Sequence, residues 1–343
     1  MKTDIQHPWE LYSRGRRWVF LAVLFLVSTS NVVDRQIIVV LLEPIKQEFG
    51  VSDTMLGVLT GLSFALFYVS LGIPIARWAD RGNRKLIIGL SLTVWSIFTA
   101  LCGVAQSFWQ LALARVGVGA GEAGAVPPAQ SLLADYFPPE KRSLALAIFF
   151  MSAAAGNVLG LIVGGQVAEA YGWRLTFLIF AAPGILLVGL VAIVLKEPRQ
   201  QMPAALNTAT NESFLEAVNV LKKKPAFVNS VIGMVLYYIM GYGALTFTIS
   251  FITRNYDLSL AQASTYYGGI ALAGALIGSP IGGVLADRLA LRDLSWLAMI
   301  PAIGFGIVFP LSVIAFLAMD VNVMFSFSAL SIVVLMASAP PLF

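Results

Sequence analysis

Apolar residues run through this chain in long unbroken blocks separated by short polar clusters, rather than at the spacing of half-buried elements. A block of about 18 or more such residues is long enough to cross roughly 30 Å of hydrocarbon as a helix. The blocks predict ten spans, near residues 18 to 42, 54 to 79, 85 to 105, 108 to 134, 143 to 169, 173 to 195, 226 to 252, 260 to 286, 294 to 318 and 322 to 343. The tenth reaches Pro340-Pro341-Leu342-Phe343 without a polar tail. No stretch alternates apolar and polar residues over about ten positions, as a membrane β-barrel would require. The expected fold class is an all-α polytopic membrane protein.

Composition agrees: 58% of residues are hydrophobic and 12% charged, where a soluble domain carries about a quarter charged. The net charge of +4 does not point to nucleic acid, because the basic residues lie in short loops. Of 22 Lys and Arg, 17 fall on the side of the N-terminus, 3 opposite and 2 inside spans. That bias places the N-terminus in the cytoplasm, with the cell membrane as the expected location. The first apolar run is too long for the core of a cleavable signal and fits a retained helix. One cysteine and one histidine leave no disulfide framework, Cys/His metal site or histidine triad. Cys102 reads as packing, and no cofactor is expected.

The one long connection, between spans six and seven, suggests an organisation into an N-terminal six-helix bundle (1–195), a cytoplasmic linker (196–225) and a C-terminal bundle (226–343). In the linker, SFLEAVNVLKKK pairs Ser213 with Glu216 as a capping box and puts Val218 and Leu221 on the face of Phe214 and Leu215. A short amphipathic helix at the inner surface is expected there. The two halves are related: adding 207 maps Ser52, Gly61, Ala79, Asp80 and Arg81 onto Ser259, Gly268, Ala286, Asp287 and Arg288 without a gap. Parallel repeats of about six spans are a transporter architecture.

The loop after span two reads GIPIARWADRGNRK, and that after span eight GGVLADRLALRD. An acid at a helix C-terminus followed by cations can latch onto a neighbouring helix end. The candidates are Asp80, Arg81, Arg84, Lys85, Asp287 and Arg288, joined by Asp135 and Arg142 of DYFPPEKRS. An ordinary positive-inside loop is the plainer alternative, but Ala-Asp-Arg recurring in register favours a shared job.

DRGNRK resembles the signature loop of the major facilitator superfamily, Gly-x-x-x-Asp-Arg-x-Gly-Arg-Lys/Arg, with Ala76 for the first glycine and Gly82 followed by Asn83. RVGVGAGEAG from Arg115 is similar to that family's fourth helix, and GNVLGLIVGG from Gly156 and YGWRLTF fit as well. More narrowly, Asn31-x-x-Asp34-Arg35, WADRGNRK and the GxGEA around Glu122 resemble the spinster-like branch, whose animal members export sphingosine phosphate and lysophospholipids. The resemblance implies two pseudo-symmetric bundles of twelve spans and alternating access. With ten spans found, the eleventh, the twelfth and the end of the tenth are expected to be missing, and with them the late-helix partner of the span-two loop. GAGEAG also matches GxGxxG, but with no preceding strand it reads as close-packing glycine.

Only Asp34, Arg35, Arg115 and Glu122, of 40 charged residues, lie well inside spans. Each costs about 2.5 to 3.5 kcal/mol at a helix centre, so four without partners would cost roughly 10 to 14. Asp34 lies about 12 Å and Arg115 about 10 Å from the outer ends of their spans, at 1.5 Å per residue. Matched depth predicts that they pair, with Glu122 two turns below. A carboxylate beside an arginine in a partly dry site is tunable, since desolvation favours its neutral form and the arginine its charged one. The expected roles are Asp34 as principal proton site, Glu122 as second, Arg35 and Arg115 as switching partners, and a proton exchanged for the substrate. A permanent clamp between spans one and four is the alternative. The second half lacks these charges and offers Tyr237, Tyr238, Tyr242, Thr246 and Thr248 instead. With Asn31 and Asn157 these tyrosines are candidate substrate contacts, while Pro127-Pro128 is expected to kink span four.

A proton-coupled transporter of an amphipathic small molecule or lipid, working as a monomer among membrane lipids, is therefore expected. Drug-like amphiphiles and small organic anions are alternative substrates. A membrane-embedded lipid-modifying enzyme is the rival class, and it lacks a nucleophile or metal constellation.

Overall fold

The structure, a computed structural model, describes residues 7–201 and 214–338. Every regular element among them is helical. The helices are α1 (Arg14–Phe49), α2 (Asp53–Arg81), α3 (Arg84–Gly103), α4 (Phe108–Glu122), α5 (Val126–Tyr136), α6 (Pro139–Val158), α7 (Gly164–Val194), α8 (Phe214–Leu221), α9 (Pro225–Asn255), α10 (Leu260–Ala290), α11 (Trp296–Leu317) and α12 (Val321–Ser338).

All ten predicted spans are helical, and the divisions between them follow local chemistry. Ser13, Ser52 and Ser107 cap α1, α2 and α4 through their hydroxyls. Gly50, at φ 62°, ends α1 in the left-handed region that disfavours side chains. Spans five and six form one continuous helical run apart from Gly172, whose φ of 76° and ψ of 165° turn the chain. Just past that turn Trp173 and Arg174 both donate to Glu48, at 2.7 and 2.5 Å, tying the end of α1 to the start of span six. Span four is two pieces, α4 and α5. Pro127 and Pro128 open α5 instead of kinking a continuous helix, because a first turn can do without their missing N–H groups. Asn83, the departure from the signature loop, caps α3 by accepting from the Leu86 N–H at 3.0 Å.

The chain divides into two compact units, Met1–Thr210 and Asn211–Phe343. In the first, α1 is buried along most of its length and packs against α6 and α7, α3 against α4 and α7, and α2 against α4. The glycines of span four permit the closest approaches. A Cβ on Gly119 would lie 2.6 Å from the Phe64 carbonyl oxygen of α2, and one on Gly121 would lie 2.6 Å from the Trp95 nitrogen of α3. Gly156 and Gly160 likewise hold span five against Thr29, Val32 and Gln36 of α1.

In the second unit α10 packs on α12 through Gly274, Gly278 and Gly282, and α11 also packs on α12. The repeat is visible within each unit. Ser259 caps α10 as Ser52 caps α2, and Ala79 and Ala286 are both buried while the following Asp-Arg pairs are exposed. The amphipathic linker helix is present as α8, but Ser213 and the Glu216 side chain, and with them the capping box, lie outside the described residues. So do residues 339–343 of the tenth span.

Overpacking a membrane helix contact should cost about 1 to 3 kcal/mol. Gly119→Val is expected to lower the thermal unfolding midpoint in detergent, whereas Gly189→Ala, with open space around the added methyl, should leave it unchanged.

Candidate functional site

Within the first unit the four intramembrane charges converge, and the pairing differs from that expected by depth. Arg35 Nε donates to Glu122 Oε2 at 2.5 Å, joining α1 to the end of α4. Asp34 and Arg115 do not form an ion pair. Asp34 Oδ2 accepts from the Thr99 hydroxyl of α3 at 3.2 Å. Two features explain the change. An arginine stem carries its charge well away from its Cα, so similar Cα depths do not fix partners, and neighbouring residues on α1 point about 100° apart.

Asp34, Arg115 and Glu122 are 2%, 1% and 0% exposed, so none is solvated by bulk water. Phe64 and Tyr68 of α2 wall the cluster: the Arg35 guanidinium lies 5.0 Å from the Phe64 ring centre and 4.5 Å from that of Tyr68. Phe64 also lies 5.4 Å from the Arg115 guanidinium, so one ring serves both cations. Asn31 faces Glu122, and Cys102, expected as plain packing, sits within electrostatic reach of both Asp34 and Arg115.

Satisfaction within the cluster is uneven. Among the described residues, Asp34 Oδ1, Glu122 Oε1, Arg115 Nε and Nη1, Arg35 Nη2 and Asn31 Nδ2 are buried without a hydrogen-bond partner. Each such group inside a protein costs about 1 to 3 kcal/mol, more for a charged one. Donors outnumber acceptors in this set, which suits a site that receives an acceptor-rich group. Glu122 holds a direct ion pair; Asp34 is held by one neutral hydroxyl. Asp34 is therefore the carboxylate with less to lose by taking up a proton.

The residues expected to form a latch divide. Arg84 is fully buried and donates through Nη2 to Asp135 at 2.6 Å and to Glu197 at 2.5 Å. Its backbone N–H and Nε also reach Glu197, at 2.7 and 3.3 Å, and Nη1 reaches Ser131. Arg199 extends the knot to the carbonyls of Ala79 and Asp80 at 2.9 and 2.6 Å. Lys85 and Arg142 donate to the backbone carbonyls of Ala192 and Ala134. Asp80, Arg81, Asp287 and Arg288 are exposed.

Of the proposed substrate contacts, Asn31 is buried and Asn157 half-buried on α6. Tyr238 and Tyr242 are exposed on α9, with ring centres 5.7 Å apart. The Tyr237 side chain lies outside the described residues. Thr246 bonds back to the Tyr242 carbonyl, and Thr248 is buried against Tyr267 of α10. The sequence reading missed Thr99, Phe64, Tyr68, Glu197 and Arg199. Only Glu197, an acid two residues past the end of an apolar run, carried a visible signal.

The Major Facilitator Superfamily family model matches residues 24–342. An MFS-type efflux pump of Mycolicibacterium smegmatis is 39% identical over 328 residues, covering 96% of this chain and 76% of that protein. Protein spinster homolog 1 of Xenopus tropicalis is 32% identical over 216 residues, 62% of this chain and 41% of its own length. The chain thus spans less than half of that spinster relative. Among solved structures, a bacterial homologue of the human lysosomal transporter Spinster, inward-facing and unoccupied, superposes with a TM-score of 0.85 at 34% identity, over 96% of this chain and 75% of that one.

The Arg84 knot predicts a graded response. Removing one partner of a buried pair strands the other charge, at about 3 to 5 kcal/mol. Glu197→Ala is expected to lower thermal stability in detergent by that order, and Asp135→Ala by less, since Asp135 is 26% exposed and Glu197 2% by side chain.

Proposed function

We propose, from the premise that this chain belongs to the Major Facilitator Superfamily, that it is a proton-coupled secondary transporter of the spinster-like kind. It moves an amphipathic, lipid-like substrate such as a lysophospholipid or sphingoid lipid outward in exchange for a proton. The observation that carries this reading is the buried carboxylate of Asp34, held by a single hydroxyl beside two guanidiniums and a second acid. A proton arriving at Asp34 changes the net charge of a cluster from which bulk water is excluded. The cluster then stabilises a different arrangement of its partners, and that difference drives an alternating-access cycle.

The unpaired donors of Arg115 and Arg35 support recognition of a polar headgroup rich in acceptors, with the proton and the headgroup competing to balance the same cations. In this scheme the ion pair of Arg35 with Glu122 is the standing partner, and Glu122 is the second proton site. The protein works as a monomer in the inner membrane of a bacterium, with its N-terminus in the cytoplasm, as the loop charges favour. No cofactor takes part, and the proton is the coupling ion.

A second reading is export of drug-like amphiphiles, favoured by the mycobacterial relative, which is named an efflux pump. The Tyr238 and Tyr242 faces of α9 suit either substrate.

In proteoliposomes with an imposed pH gradient, uptake of a fluorescent lysophosphatidylethanolamine should depend on the gradient, and Asp34→Asn should cut that dependence at least tenfold. Gradient dependence retained in Asp34→Asn overturns the proton assignment. Movement of ethidium but not of the lysolipid replaces the substrate class.

A further inference from the structure

Hydroxyls on the membrane helices of this protein follow a common habit. Thr60, Thr93, Thr176, Thr246, Ser264, Ser326 and Ser338 each donate to the carbonyl four residues earlier, at 2.6 to 3.1 Å. This arrangement hides a polar hydrogen without help from another helix. Thr99 departs from it. Its hydroxyl, on a residue 1% exposed, crosses from α3 to Asp34 Oδ2 at 3.2 Å.

A hydroxyl can donate in one direction and accept from another, and it needs only a rotation about its C–O bond to exchange donors' targets. We propose that Thr99 is a positioning residue whose hydroxyl turns with the charge of Asp34, donating to the carboxylate when it is ionised and to the Trp95 carbonyl of its own helix when it is protonated. The proposal rests on Asp34 being the proton site. On protonation, the incoming proton binds a carboxylate oxygen of Asp34. The new O–H then donates to Thr99 Oγ1, and the Thr99 hydrogen swings to the helix carbonyl. No bond of threonine is broken.

Geometry favours Thr99 for this task over the other groups around Asp34. Arg35 follows Asp34 on α1 but is committed to Glu122. Arg115 and Glu122 act on Asp34 from α4 through charge, and Cys102, one turn from Thr99 on α3, faces the same carboxylate and Arg115. Arg115 and Glu122 keep their effect whichever way a neutral hydroxyl points. Thr99 alone among these contacts is a hydrogen-bond partner of Asp34 that can both give and receive. Because it belongs to α3, its turn transmits the state of Asp34 from α1 to the helix that lies against the glycines of span four.

The test is an infrared pH titration of the carboxyl C=O stretch in the reconstituted protein, without substrate, using Asp34→Asn to assign the band. Thr99→Val keeps the shape and removes the donor. A hydrogen bond to a charged group is worth about 1.5 to 3 kcal/mol, and one pH unit is 1.36, so the Asp34 midpoint should move to higher pH by about one unit or more. Thr99→Ser, which restores the hydroxyl, should return it to within a few tenths. An unmoved midpoint and band position in Thr99→Val, with the Asp34 band present, overturns the role of Thr99. A set of titrating bands left unchanged by Asp34→Asn overturns instead the reading of Asp34 as the proton site; a band that remains after the Asp34 band is lost is that of Glu122. Should Thr99→Val fail to fold, Thr99→Ala and Thr99→Ser form the same comparison, a midpoint shared by the two again counting against the proposal.

Discussion

Buried charge is tolerated in hydrocarbon only where other groups replace water, and the first unit is arranged around that requirement. The Arg35–Glu122 ion pair joins two helices, and the ring of Phe64 on a third lies against both Arg35 and Arg115. Phe64 can sit there because Gly119 leaves its backbone room. The glycine ladder of span four and the charged cluster are therefore one construction. A side chain on Gly119 would push away the aromatic wall that partly replaces water around two guanidiniums. Cation–π contacts of this kind contribute about 2 kcal/mol when desolvated, comparable with the cost of holding each charge.

Much of this was legible beforehand. The ten apolar blocks, the serine caps at Ser52 and Ser259, the close-packing role of the span-four glycines and the convergence of Asp34, Arg35, Arg115 and Glu122 all follow from spacing and composition. Who pairs with whom did not follow. Depth is one coordinate along a helix axis, while pairing also depends on rotation, tilt and the reach of a side chain, which a sequence does not display. Thr99 is a threonine in an apolar helix, a common occurrence whose usual outcome is a bond to its own backbone. Glu197 lies 113 residues from Arg84, and no local pattern relates them; only the fold brings the end of span six to the start of span three.

The Arg84 knot and the intramembrane cluster solve the same problem with different redundancy. Arg84 is bound by two carboxylates and a serine, so its charge is matched and its geometry fixed from two segments, α5 and the stretch after α7. That is how a structural ion is held. Arg115 has a ring face and unpaired nitrogens, and Asp34 a single hydroxyl. Evolution had no difficulty placing enough partners around a buried arginine in this fold, as Arg84 demonstrates. Asp34 and Arg115, with sparse partners, are held far less completely than Arg84.

Duplication gave both units the same opening serine and closing Ala-Asp-Arg, yet the charges at the centre belong to one unit alone. The positions opposite Asp34 and Arg35 are Gly241 and Tyr242. The ion pair and the hydrogen bond that hold the cluster both lie within the first unit. A buried charge that lost its partner would be stranded at a cost of several kcal/mol, so keeping all members of the cluster in one unit secures each of them. In place of those ions the second unit carries aromatic and hydroxyl groups such as Tyr238, Tyr242 and Thr246, which tolerate exposure and burial alike.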